Sequence, residues 1–212
     1  MSDYTLDTNA AKQADNINAR IEQKGKYLGA ITRAEPVTSK KGSRGVDLSF
    51  KADSGESADY LTLWTHNAEG KQIMGFNTLM AIMTCLRVKE LSASNGEIEK
   101  YDPDMQKRVK QSVPLFKELM NKPVGLLLQM EEYERKSGGT AWKPTIFAAF
   151  DKDEFTASEI LSKASKPEQL AKMVQALRDK PLKSGSVPAT QPLHDAPGSS
   201  DAFSDFESDI PF

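Results

Sequence analysis

Two hydrophobic periods alternate along this chain. From Val46 to Lys51 apolar and polar residues exchange at every step. Val46, Leu48 and Phe50 fall on one side and Asp47, Ser49 and Lys51 on the other, the pattern of a strand with one buried face. Asp59 to His66 repeats it, with Leu61, Leu63 and Thr65 opposed to Tyr60, Thr62 and Trp64. An earlier strand is predicted from Lys26 to Ala34, ahead of Pro36, and Asp53-Ser54-Gly55-Glu56 supplies a turn, so these strands are expected to be antiparallel neighbours. The period then lengthens. Ile73, Phe76, Met80, Met83 and Arg87 recur every three or four residues, with Leu79, Ile82 and Leu86 on the adjacent line, which predicts a helix over Gly75–Val88. A polar stretch to Asn121, broken by Pro103 and Pro114, offers one short helix at Val113–Met120. Period two returns in Pro123–Arg135 (Val124, Leu126, Leu128, Met130) and in Ala141–Phe150 (Trp142, Ile146, Ala148, Phe150).

The expected class is therefore mainly β with flanking helices (α+β). Five strands with a helix between strands 3 and 4 is the order of an OB-fold barrel, expected to close within residues 24–151. Residues 1–23 read as a helical lead-in, with Asp7 or Thr8 as cap and Ala10, Ala14, Ile17 and Ile21 on one face. Residues 152–183 read as a helical extension, opened by a Thr156 cap and continued by Pro167, Leu170, Met173, Val174 and Leu177. Residues 184–212, rich in Ser, Gly, Pro, Ala and Asp, bury too little apolar surface to repay ordering and read as a disordered acidic tail.

Composition narrows the function classes. Of 212 residues, 38% are hydrophobic and 27% charged, and the mean hydropathy is -0.53. No run approaches the ~20 apolar residues of a bilayer span, and Met1-Ser2-Asp3-Tyr4 has neither the basic start nor the apolar stretch of a secretory signal. Cys85 is the only cysteine, which points to a reducing cytoplasm. The formal net charge of -2 hides an asymmetry: the tail has no Lys or Arg and carries five acids, which leaves 28 bases against 25 acids, +3, in residues 1–183. A mildly basic body joined to an acidic tail suggests a nucleic-acid ligand or an interaction tail.

OB-folds take ligand on the face of strands 2 and 3 and at the loops joining strands 1–2 and 4–5. In this sequence the first of those loops, Ser39–Gly45, carries Lys40, Lys41 and Arg44, and the second, Arg135–Gly139, carries Lys136. Tyr60 and Trp64 lie on the outward side of strand 3 as candidate stacking platforms, against the plainer reading of surface or core aromatics, and Lys51 and Lys143 accompany them. Tyr27 and Tyr133 are weaker candidates, and Trp142 reads as core because it shares a face with Ile146 and Phe150. The basic loops are expected to follow phosphates, the plainer reading being a solvated surface. No phosphate loop and no dinucleotide fingerprint is present, and His66, His194 and Cys85 are too few and too scattered for the usual zinc site, so neither enzyme activity nor a cofactor is expected.

The tail ends in Asp205-Phe206-Glu207-Ser208-Asp209-Ile210-Pro211-Phe212. A terminal ring and α-carboxylate suit a basic-mouthed apolar pocket, Pro211 lowers the ordering cost, and Asp205, Glu207 and Asp209 speed encounter with a basic surface. Asp209-Ile210-Pro211-Phe212 resembles the acidic tip of bacterial single-stranded DNA-binding proteins. The body, with Gly25-Lys26-Tyr27, Leu63-Trp64-Thr65 and Ala81-Ile82-Met83-Thr84-Cys85-Leu86, is similar to phage-encoded single-stranded DNA-binding proteins. The resemblance implies binding of single-stranded DNA without strong sequence preference. It also implies recruitment of replication, recombination or repair proteins through the tip, in the cytoplasm of a bacterial host. The lead-in helix and the helical segment 154–180 offer surfaces for a homodimer or other homo-oligomer, since a lone barrel covers only a few nucleotides. Two alternatives stay open: an annealing or recombinase-loading accessory, and a protein-only decoy in which the tip alone matters.

Overall fold

In a computed structural model of the chain, residues 20–102 and 107–182 are described. The chain divides into two units, Met1–Leu182 and Lys183–Phe212. The lead-in helix expected over residues 1–23 lies outside the described residues as far as residue 19; residues 20–23 are not helical, because Arg20 bridges to Ser57 on the edge of a strand and Ile21 enters the core. The expected acidic tail lies outside them too.

The first three strands follow the alternation closely: β1 (Gly25–Thr38), β2 (Arg44–Ala52) and β3 (Ser57–His66) are joined antiparallel by tight turns. β1 runs past Pro36, where the sequence suggested a stop. The missing N–H is harmless because β6 (Pro123–Glu134) pairs with β1 only as far as Ala30, so Pro36 has a ladder partner on one side alone. The helix α1 (Met74–Cys85) buries Leu79, Ile82, Met83 and Cys85, as its period of three and four requires. β7 (Thr140–Phe150) then pairs with β6, giving one five-stranded antiparallel sheet in the order β3-β2-β1-β6-β7.

Two expectations fail in the connection from α1 to β6. The polar stretch folds as a hairpin of its own, β4 (Ser94–Asp102) and β5 (Lys107–Leu115), which forms a separate two-stranded sheet. The helix expected at Val113–Met120 is instead the end of β5 followed by a single 3-10 turn at Lys117–Leu119. Pro114 removes the N–H that a helix would need there, and segment 116–121 bonds to the open side of β1 through Phe116 N–H to Ala34 O at 2.9 Å and Asn121 N–H to Ile31 O at 2.8 Å.

The expected barrel closure is also absent. No ladder joins the edge strands β3 and β7. Local chain takes the edge of β3 at both ends: Ile21 N–H bonds Ser57 O at 2.9 Å, and Ile73 N–H bonds Thr65 O at 3.0 Å. α1 packs against both β3 and β7, so a helix rather than hydrogen bonding spans the seam on that side.

The main core lies between the inner face of the sheet and α1, where Ile31, Leu48, Phe50, Leu61, Ile82, Leu126 and Leu128 are fully or almost fully buried. The second face of β6–β7 has its own small core. Phe150 and Leu127 meet Leu170 and Leu177 from the C-terminal segment, which carries α2 (Ala157–Leu161) and α3 (Gln169–Ala176). The helical extension is thus part of this unit. Its geometry is set by Glu159, whose buried carboxylate accepts Thr156 N–H and Oγ1–H at 2.9 and 2.8 Å and the N–H groups of Glu168 and Gln169 at 2.6 and 2.8 Å. Burial alone would raise this carboxyl, but those donors outweigh it and hold it at about 2. Among the described residues no helix is long and apolar enough to cross a membrane.

Candidate functional site

Where the sheet fails to close, β3 and β7 both begin at a cleft of about 740 Å³. Tyr60 from β3, Tyr133 from β6 and Trp142 from β7 line it, together with the cations Arg20, Arg135 and Lys143 and the acids Glu22 and Asp59. Three bases against two acids leave a formal +1. The rings are open to solvent: Tyr60 is 76% exposed, Trp142 46% and Tyr133 39%. Lys143 Nζ stands 5.8 Å from the centroid of the Tyr133 ring, a cation–π distance.

Irregularities in the ladder aim these side chains. Opposite Ser49 of β2, strand β3 carries two residues, Asp59 and Tyr60, in a bulge, and Tyr60 has φ +60. A bulky side chain in the left-handed region costs about 1–3 kcal/mol, a strain that concentrates at functional positions. A bulge in β7 at Phe147 corrects the reading of Trp142 as core. The extra residue reverses the alternation beyond it, so Phe150 points to the second core while Trp142 and Ile146 keep the inner side. There Trp142 lies past the last buried layer, opposite Glu132, at the cleft mouth.

Of the sequence-predicted site residues, Tyr60 and Lys143 line this cleft. Lys136 is exposed in the adjoining β6–β7 turn, closed by Arg135 N–H to Gly139 O at 2.9 Å. Lys51 is exposed on the outer face opposite Ser57, near the same end of β3. Trp64, 38% exposed, stands on the outer face opposite Gly45 and does not line the cleft. Lys40, Lys41 and Arg44 are exposed at the other end of β3, where Arg44 pairs with His66. The six steps along the strand from Tyr60 to His66 span about 20 Å. Asp205, Phe206, Glu207, Asp209, Ile210, Pro211 and Phe212 lie outside the described residues. Tyr27 is half-buried at the start of β1, packed against the main core, its hydroxyl donating to Gln23 O at 2.9 Å.

Sequence reasoning missed Arg20 and Arg135 and misplaced Trp142. Arg135 had a signal, as the first basic residue of the loop already singled out, whereas Arg20 enters only because residues 20–21 pair with β3. The outer face of β1–β2–β3 also departs from a plain basic platform, since Asp47 is buried there in a hydrogen-bonded group with Arg33, Glu35 and Thr62. Cys85 is buried and burial pushes its thiol up to about 12, so it holds no thiolate at neutral pH. Among the described residues no three His, Cys, Asp or Glu side chains gather in a group able to hold a metal ion. No family model and no curated protein sequence matches the chain.

Proposed function

We propose that this chain is a single-stranded DNA-binding protein of the phage-encoded kind, built on an open variant of the OB-fold, and that it acts as a binding protein rather than an enzyme. The OB reading rests on the strand order β3-β2-β1-β6-β7 with α1 between the third and fourth strands of the sheet, and the OB-fold is itself a partly open barrel. The observation that carries the function is the convergence of three exposed rings and three cations on one cleft.

Unstacked bases lie against Tyr60, Tyr133 and Trp142, each contact contributing ~1–3 kcal/mol and accepting any base. Arg20, Arg135 and Lys143 neutralise phosphates. A strand leaving the cleft along β3 passes Trp64 and meets Lys40, Lys41 and Arg44, which extends the site beyond the cleft itself. The terminal Asp209-Ile210-Pro211-Phe212 recruits a replication, recombination or repair enzyme with a basic-rimmed apolar pocket, in the cytoplasm of a bacterial host.

Titration of the full chain with oligo-dT, read by tryptophan fluorescence, tests this. Quenching and saturable binding are expected, and Trp142→Ala should weaken affinity by about 5-fold or more, as loss of one stacked base requires. No binding at low salt, or an unchanged affinity in Trp142→Ala, refutes the assignment.

A further inference from the structure

Two bulges flank a single residue of β2. On one side β1 carries Thr32 as an extra residue between Ile31 and Arg33, and on the other β3 carries Asp59 and Tyr60 where one residue would do. Both irregularities fall opposite Ser49. Strict alternation would place Arg33 with Ile31 in the core. The bulge at Thr32 turns Arg33 to the outer face instead, while Ala34 takes the inner position.

On that face the guanidinium is held at each of its three nitrogens. Nε donates to Ser49 Oγ at 3.0 Å, Nη1 to Glu35 Oε2 at 3.1 Å and Nη2 to Asp47 Oδ2. Asp47, only 6% exposed, also accepts from Thr62 Oγ1 at 2.6 Å. Arg33 Cζ lies 5.6 Å from the centroid of the Tyr60 ring.

We infer that Arg33 is a positioning residue for Tyr60, held by Asp47, Glu35 and Ser49 so that its planar cation backs one face of the ring and leaves the other to a base. This rests on the DNA-binding reading of the cleft. Two carboxylates already neutralise Arg33, so it contributes through the ring and not through a phosphate. The planar fork is what the site requires, because a lysine in its place keeps the charge and loses both the fork and the flat surface.

Arg33→Lys is the test, since Arg33→Met would strand Asp47 and risk unfolding. Fluorotyrosine NMR on the free full chain, with Tyr60→Phe assigning the signal, should show the Tyr60 resonance displaced in Arg33→Lys and in Asp47→Asn. An undisplaced resonance in both overturns the inference whether or not DNA binds. In oligo-dT titrations, Arg33→Lys should lose about 3-fold or more in affinity, with the slope of log affinity against log salt unchanged. In a Tyr60→Ala background the same change should have no further effect beyond about 2-fold. A slope reduced by ~0.7 marks a direct phosphate contact, and additive losses mark independence from the ring. Either of these overturns the inference. Absence of DNA binding by the unaltered chain would remove the functional reading, while the resonance would still decide whether Arg33 sets the ring.

Discussion

Glu159→Gln probes how the C-terminal segment is held on the sheet. In the native chain Oε2 accepts Thr156 N–H and Oγ1–H, and Oε1 accepts Glu168 N–H and Gln169 N–H, so each oxygen faces two donors. A glutamine of the same shape has one oxygen. Turned toward Glu168 and Gln169, the NH2 group confronts two N–H donors; turned toward Thr156 it confronts the Thr156 N–H, while the Oγ1 hydroxyl can rotate to accept from it. Either way at least one charge-assisted hydrogen bond is lost and the others lose their charge. At ~1.5–3 kcal/mol for a bond to a charged group, with water recovering part, the loss is about 2–4 kcal/mol. For a unit of this size that lowers the melting temperature by roughly 5–15 °C. The effect should depend on pH in a defined direction. The folded carboxyl is held at about 2 against an ordinary 4.5, so its stabilisation is complete above the unfolded value and is lost as pH falls through about 2. A protonated Glu159 has the same single-acceptor defect as the amide. Thermal unfolding followed by circular dichroism should therefore show a large gap between the two proteins at pH 7 that narrows as pH drops below 4.5. Equal melting temperatures at pH 7, or a gap that stays constant into acid, would refute the reasoning.

Gly125→Ala should destabilise by about 1–3 kcal/mol, because a Cβ there would fall 2.0 Å from the buried Phe150 ring, and a lower urea midpoint is the measure; an unshifted midpoint counts against this packing. Replacing Lys40, Lys41 and Arg44 together by Gln should cut the salt slope for a long oligo-dT from about -4 to about -2, counting ~0.7 for each of six cations, and should leave an oligonucleotide confined to the cleft unaffected. An unaltered slope on the long substrate removes the basic turn from the path. Deleting residues 184–212 should raise DNA affinity at low salt, where the five acids of that segment compete best with phosphate, and identical affinities with and without it would dismiss that competition.

The alternating and helical periods alone determined β2, β3, α1 and β6, and with the signals for β1 and β7 the order in which the five-stranded sheet and its helix follow along the chain. Those segments have one strongly apolar face, and a face that must be buried leaves the chain little choice of local structure. The hairpin β4–β5 was not legible because its strands carry few apolar positions and bury little, so no period rises above the polar background. What the tertiary structure alone decided is which side chains share the site. Thr32, the Asp59–Tyr60 pair and Phe147 each insert one residue into a ladder, and each insertion reverses which face the following residues present. Arg33 leaves the core for the outer face in this way, Tyr60 is turned out at positive φ, and Trp142 is separated from Phe150. A single strand's sequence carries no record of such an insertion, because register is a property of the pair and is settled by how two strands bury their faces together. The open seam has the same origin: residues 20–21 and 72–73 occupy the edge of β3 in place of β7, and pairings across such distances follow from the packed whole.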